Sequence, residues 1–276
     1  MVDYNFFISL QKRIFVMCPV INIFGFEIQS YALAALAGFV LTALLAIRLG
    51  KARNINSYTS LWATLVSGVG IFAGGHLLFA ITNIKEITAL IQKGDLSFSG
   101  LLPFISGMVF YGGFFGALVA LLIYCKLNKH VSRKDVFDIF AVSVPLFHAF
   151  GRVGCFFAGC CYGVESEFGI VTYINTAPAH YGISRFPVQL VEALFNLLIF
   201  ALLILLYKRN KLHGNLILVY MSLYAPVRFV LEFFRGDEVR GFLLGFSTSQ
   251  FISLLVLAFL CIYCIAKFIK KSSIRK

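Results

Sequence analysis

In the apolar stretch FHAFGRVGCFFAGCCYG, Phe147 to Gly163, the side chains able to do chemistry are His148, Arg152 and Cys155, spaced i, i+4 and i+7. On a helix that spacing puts an imidazole, a guanidinium and a thiol on one face. A second set follows in VRFVLEFFRGD, where Arg228, Glu232 and Arg235 repeat the spacing. An arginine in an apolar run costs about 3 kcal/mol or more unless it is paired, hydrated or used. A single one near a helix end can snorkel to headgroups, and Glu232 can neutralise Arg228 one turn away. Two arginines on two helices have a further use, because guanidinium forks grip a phosphate through paired hydrogen bonds. Glycines surround these positions: Gly151, Gly154, Gly159 and Gly163 near Arg152, and Gly107, Gly112, Gly113 and Gly116 near Tyr111. They let helices approach closely, the commoner reason for them, and they let backbone N–H groups reach an anion.

The elements that must hold these residues are membrane spans. Of 276 residues 60% are hydrophobic and 13% charged, which leaves too little polar surface for a soluble domain of this length. Runs of about twenty apolar residues mark seven spans: 30–47, 61–81, 101–125, 136–158, 187–207, 216–234 and 247–268. The expected fold is all-α, a polytopic membrane protein forming a single integral membrane domain over residues 1–276, since lipid leaves a lone span no other way to satisfy its backbone. Residues 1–20, with Lys12 and Arg13 in the middle, read as an interfacial amphipathic segment.

The net charge of +12 does not point to nucleic acid, because the basic residues cluster in short loops between spans. Fifteen follow spans one, three, five and seven, from Arg48, Lys51 and Arg53 to the tail of Lys267, Lys270, Lys271, Arg275 and Lys276; eight lie on the other side. The positive-inside bias therefore expects the C-terminus in the cytoplasm and the N-terminus outside. With that orientation Tyr31, Tyr111, Arg152, Arg228 and Arg235 all fall towards the outer leaflet. No metal is expected: Cys155, Cys160 and Cys161 form a C-x4-C-C run that is not an established zinc spacing, and no His/Cys pair completes it. Cys261 and Cys264 lie within an apolar run and read as packed thiols.

These residues also carry a resemblance. GRVGCFFAGCCYG resembles the signature G-R-x-G-N-F-x-N-x-E-x-x-G of the phosphatidylglycerol–prolipoprotein diacylglyceryl transferase family at Gly151, Arg152, Gly154, Phe156 and Gly163. RFPVQLVEALFN is similar to its R-H-P-[ST]-Q-L-Y-E-A stretch, and VRFVLEFFRGD to its R-x-x-x-E-F-F-R segment. GFSTSQFISL resembles the S-x-x-Q element, and MVFYGGFFG matches M-S-F-H-G-G-L-I-G except that Tyr111 stands at the histidine. Cys155, Ala158 and Cys160 stand at the two asparagines and the glutamate of the signature, and Phe186 at the histidine of R-H-P, so the chain looks like a divergent branch of that family.

The resemblance implies transfer of a diacylglyceryl group from phosphatidylglycerol to the lipobox cysteine thiol of a prolipoprotein, at the outer leaflet of a bacterial plasma membrane, with release of glycerol phosphate and without a cofactor. Arg152 and Arg228 would face the phosphate, and Tyr111 and His148 are the further catalytic candidates, with Tyr31 a third group for proton transfer. Tyr31, Gly112, Gly154, Cys155, Gly163, Arg185, Gln189, Glu192, Glu232 and Arg235 are expected to bind or orient substrate. The resemblance implies that the nucleophilic sulfur is the peptide's. Alternatives are another lipid or acyl transferase on this scaffold, or a non-enzymatic lipid carrier.

Overall fold

The computed structural model describes residues 19–92, 107–172, 182–237, 242–243 and 245–274. Among them eight α-helices occur: α1 (Ser30–Lys51), α2 (Ser57–Thr82), α3 (Ile84–Gln92), α4 (Phe110–Leu127), α5 (Arg133–Ala158), α6 (Val188–Lys208), α7 (Leu216–Leu231) and α8 (Thr248–Ile274). All but α3 are long and apolar enough to cross a membrane, with α7 continued by a 3-10 turn over Glu232–Phe234. The chain is an all-α polytopic membrane protein with the seven spans that hydropathy predicts.

Local chemistry sets the span ends that hydropathy misses. α2 starts at Ser57 rather than 61 because the Asn56 side chain accepts the Tyr58 N–H at 2.9 Å. α5 starts at Arg133 rather than 136 under a Ser132 cap. Both are N-cap residues whose oxygen satisfies a first-turn donor. The start of the third expected span, residues 101–106, lies outside the described residues, as do residues 1–18 of the expected interfacial segment. Residues 19 and 20 belong instead to an extended segment: a hairpin of β1 (Val20–Ile23) and β2 (Phe26–Gln29) leads into α1. Its two-residue turn puts Phe24 and Gly25 at φ 51° and 86°, as a tight hairpin requires. Two more antiparallel pairs, β3 (Glu165–Thr172) with β4 (Ile183–Arg185) and β5 (Phe242–Leu243) with β6 (Phe246–Ser247), lie between spans. Hydropathy does not reveal them, because each is a few residues of loop.

α5 is the central helix. It buries 72% of its most apolar window, where the other spans bury 17–44%. It packs between α1 and α6, while α2 pairs with α4 and α7 with α8. The outer spans turn Val69, Phe72, Leu198, Val230 and Ile262 outward, as lipid-facing side chains should be. The α2–α4 pair is drawn together by glycine on both helices: a Cβ on Gly74 would strike the Gly112 carbonyl, and one on Gly116 the Gly70 carbonyl. Because consecutive spans alternate in direction, each end of α5 meets the matching ends of α1, α6 and α7. Polar residues concentrate at those two ends.

Candidate active site

The first three turns of α6 bring Gln189, Glu192 and Asn196 to one buried face. Glu192 is 1% exposed, and a carboxylate so deep requires partners to offset several kcal/mol of lost hydration. Four surround it. Its Oε2 lies 3.1 Å from Arg152 Nε and 3.7 Å from Arg228 Nη1; its Oε1 accepts the Tyr224 hydroxyl at 2.9 Å and lies 3.5 Å from His148 Nε2. The two arginines singled out in the sequence, from α5 and α7, thus converge on one carboxylate.

Arg228 is 2% exposed. Its Nη2 pairs with Glu232 at 2.5 Å and donates to Ser249 Oγ at 3.0 Å. Its Nη1 is buried and makes no hydrogen bond among the described residues. The ion pair with Glu232 uses Nη2 and leaves Nη1 with only the longer approach to Glu192. Arg152 spends its Nε on Glu192 and on His148 Nε2, 3.2 Å away. Its terminal amino groups form no hydrogen bond among the described residues. Arg235 forks onto Asp237 through Nε and Nη2, and its Nη1 lies 3.9 Å from Glu232. Three guanidiniums and three carboxylates thus form one chain, in which Arg228 Nη1 is buried without a hydrogen bond among the described residues.

His148 accepts the Arg152 Nε–H and stacks on Phe110 with ring centroids 4.0 Å apart, which fixes its plane. The Tyr111 hydroxyl lies 2.6 Å from Ser253 Oγ, joining α4 to α8. Both are buried and engaged within the protein. Tyr31, at the first turn of α1, is 41% exposed and within charge–charge range of Arg152 and of the thiols of Cys155, Cys160 and Cys161. Of the three proton-transfer candidates only Tyr31 makes no hydrogen bond among the described residues.

Gly154 lets α5 approach this tyrosine, since a Cβ there would press on Tyr31 and Ala34. Gly112 is taken up by the α2 contact described above. Past the end of α5, Gly159 adopts φ 72° and directs its N–H at the Cys155 and Phe156 carbonyls. The Gln189 amide donates to the Cys160 carbonyl at 2.8 Å. Gly163 is sandwiched, bridging to Arg235 with the Phe186 and Phe234 carbonyls on either side of where a Cβ would stand. Arg185 lies over the Tyr162 ring and donates to the Gly163 carbonyl at 3.3 Å. Gln189, Gly163 and Arg185 therefore fix the loop that follows Arg152.

Tyr224, Ser249 and Ser253 belong to the site and were not singled out in the sequence. A spacing signal exists for Tyr224, which precedes Arg228 and Glu232 at i−4 and i−8 on one helical face. The serines gave none beyond their place in GFSTSQFISL.

Fold and site together define a polytopic membrane protein that keeps a guanidinium-rich cluster buried at one end of its bundle. Residues 19–266 match the family model described as prolipoprotein diacylglyceryl transferase. A phosphatidylglycerol–prolipoprotein diacylglyceryl transferase of Clostridium tetani is 32% identical over 86% of this chain and 93% of its own length. A second, named as transferase 2, from Clostridium perfringens is 33% identical over 86% and 90%, and one from Campylobacter jejuni is 31% identical over 90% and 93%. The chain belongs to the prolipoprotein diacylglyceryl transferase family, and it is a transferase.

Proposed function

We propose that this protein moves the diacylglyceryl group of phosphatidylglycerol to the lipobox cysteine thiol of a prolipoprotein and releases glycerol phosphate. The observation that carries the reading is that Arg228 Nη1 is buried with no hydrogen bond among the described residues, 3.7 Å from the Glu192 carboxylate that Arg228 shares with Arg152. A donor left unmatched in a buried site costs about 1–3 kcal/mol, a cost an anionic ligand removes.

In the reaction the peptide thiol gives up its proton to solvent and its sulfur attacks the glyceryl carbon that carries the phosphate ester. The carbon–sulfur bond forms as the carbon–oxygen bond breaks, and its electron pair passes to the phosphate oxygen. Arg228 Nη1 and the terminal nitrogens of Arg152 meet the charge that grows there, in a water-poor site where such contacts count most. Glu192 holds both guanidiniums at one spacing, and His148, Tyr224 and Ser249 hold Glu192 and Arg228 in turn.

The protein acts as one integral domain of the bacterial plasma membrane, with this cluster at the outer leaflet and the C-terminus in the cytoplasm, as the fifteen-to-eight distribution of basic residues favours. Activity of a reporter fused after Lys276 only when that reporter needs the cytoplasm supports the orientation; export of the C-terminus reverses it. For the reaction, membranes holding the protein are incubated with labelled phosphatidylglycerol and a lipobox peptide. A labelled thioether on the peptide supports the assignment. Label on an enzyme cysteine points to a different transferase, and binding without transfer points to a carrier.

A further inference from the structure

Three thiols stand together at the edge of this site. Cys155 is on the last turn of α5, and Cys160 and Cys161 follow its left-handed cap. Their sulfur atoms all lie within 4.8 Å of one another. The chain reversal that achieves this is specific: Gly159 turns at φ 72°, the Cys160 N–H returns to the Cys155 carbonyl at 3.1 Å, and Cys161 takes φ 55°. A non-glycine residue in that region costs about 1–2 kcal/mol, and here the cost is borne where it turns two consecutive thiols back onto a third. Counting along the sequence hides the cluster, because C-x4-C-C matches no ligand spacing of a finger or ribbon. A helix C-cap, not a loop between paired ligands, gathers the sulfurs.

Cys155 is buried, Cys161 half-buried and Cys160 exposed, so the cluster is closed on the α5 side and open on the other. Sulfurs on a tetrahedral zinc ion, each about 2.3 Å from the metal, stand about 3.8 Å apart. The three present need to close by about 1 Å at most. Three thiolates around a divalent ion carry one negative charge in excess, and Arg152 and Arg235 both lie within charge–charge range of Cys161. Three protein ligands with the fourth position open is the arrangement of catalytic zinc, whereas structural sites use four.

We propose that Cys155, Cys160 and Cys161 form a three-thiolate site for Zn²⁺ at the edge of the arginine cluster, whose open fourth position takes the thiol of the incoming peptide. The metal site stands on the thiols alone; the role of the fourth position rests on the transferase reading. A thiol that coordinates zinc gives up its proton, here to solvent, and stays nucleophilic as a thiolate. It then forms the carbon–sulfur bond while the glyceryl carbon–oxygen bond breaks and glycerol phosphate leaves with the electron pair. This supplies the deprotonation without calling on His148 Nε2, which accepts the Arg152 Nε–H, or on the Tyr111 hydroxyl, which pairs with Ser253.

The test uses the full-length protein in detergent, stripped of metal under reducing conditions and titrated with Co²⁺ as a spectroscopic stand-in for Zn²⁺. The expected result is one equivalent bound per chain, with sulfur-to-cobalt charge transfer and the visible bands of tetrahedral coordination. Cys155→Ser, Cys160→Ser and Cys161→Ser should each weaken binding by tenfold or more. Cys261→Ser and Cys264→Ser should leave it unchanged, and they also control for the second thiol pair. No charge-transfer band, a band that survives the triple serine variant in folded protein, or a disulfide among the three cysteines of the isolated protein overturns the site. Adding lipobox peptide should shift the visible bands, and a peptide with serine at the lipobox cysteine should not. Full transfer activity in metal-free protein, or no shift with the cysteine peptide, overturns the role of the fourth position while the transferase reading survives. A shift without thioether product in Zn²⁺-loaded protein with phosphatidylglycerol sinks the transferase reading and leaves the metal site in place.

Discussion

The two ends of α5 are both polar, and they are built to opposite effect. At its N-terminal end Asp138, 0% exposed, accepts the backbone N–H groups of Gly214 and Leu216 at 2.7 and 3.2 Å. Asp135 lies 2.9 Å from both Arg53 Nη1 and His213 Nε2. Arg53 lies over the Tyr207 ring, and the Tyr207 hydroxyl reaches the Leu49 carbonyl. There the carboxylates tie the α6–α7 turn to the bundle, which is a structural use of charge. At the C-terminal end two arginines from different helices share one carboxylate, Glu192. One nitrogen of Arg53 is also buried without a partner, so an orphan donor alone does not distinguish the ends. The convergence of two guanidiniums does. At one end the backbone takes up a buried carboxylate, and at the other a buried carboxylate draws guanidiniums from two helices together.

The sharpest way to break that contrast is Glu192→Gln. It leaves Arg152 and Arg228 adjacent without their shared counter-charge, so transfer should fall by a hundredfold or more, with destabilisation of about 3 kcal/mol for a broken buried pair. Turnover near that of the parent would show that the arginines need no bracket. Next come Arg152→Lys and Arg228→Lys, which keep charge but lose the fork. Each is expected to lose most activity, about tenfold to a hundredfold, with the thermal midpoint nearly unchanged. Normal rates in either variant would return that arginine to headgroup snorkelling or to simple pairing with Glu232.

At the opposite end Asp138→Asn should do the reverse. Loss of a charged acceptor for two backbone donors predicts about 1–3 kcal/mol of destabilisation, while the folded fraction retains its rate per molecule. A rate defect at full stability would mean that the two ends are coupled through α5. The smallest effect is expected for Tyr111→Phe, which removes one hydrogen bond to Ser253, a loss of about 0.6 kcal/mol by the measured average inside membranes. Transfer should stay within a few-fold, and combining it with Ser253→Ala should add little. Abolished activity with intact folding would make Tyr111 a group that touches substrate rather than one that positions α4 on α8.

Much of this was legible in the chain itself. All seven spans, the depth of Arg152 and Arg228 and the loop clusters of basic residues follow from apolar run length and residue type, because membrane insertion is decided locally. Spacing along one helix likewise places His148, Arg152 and Cys155 on one face, and Arg228 with Glu232. What spacing cannot express is a contact between helices. That Glu192 of α6 would join Arg152 of α5 to Arg228 of α7 depends on three spans meeting at one end. The partners of Tyr111 and Arg228 on α8, Ser253 and Ser249, carry no charge or period to mark them. Gly112, for which sequence allows either close helix packing or a place beside an anion, packs against Gly74, and a contact between helices is what spacing along one of them does not give. The three thiols complete the division: their positions in sequence match no ligand pattern, and a left-handed cap after α5 brings them together. The sequence by itself determined which segments cross the membrane and which charges travel with them, since those are properties of a single helix in lipid. The tertiary structure decided which charges meet, since that depends on how the helices pack.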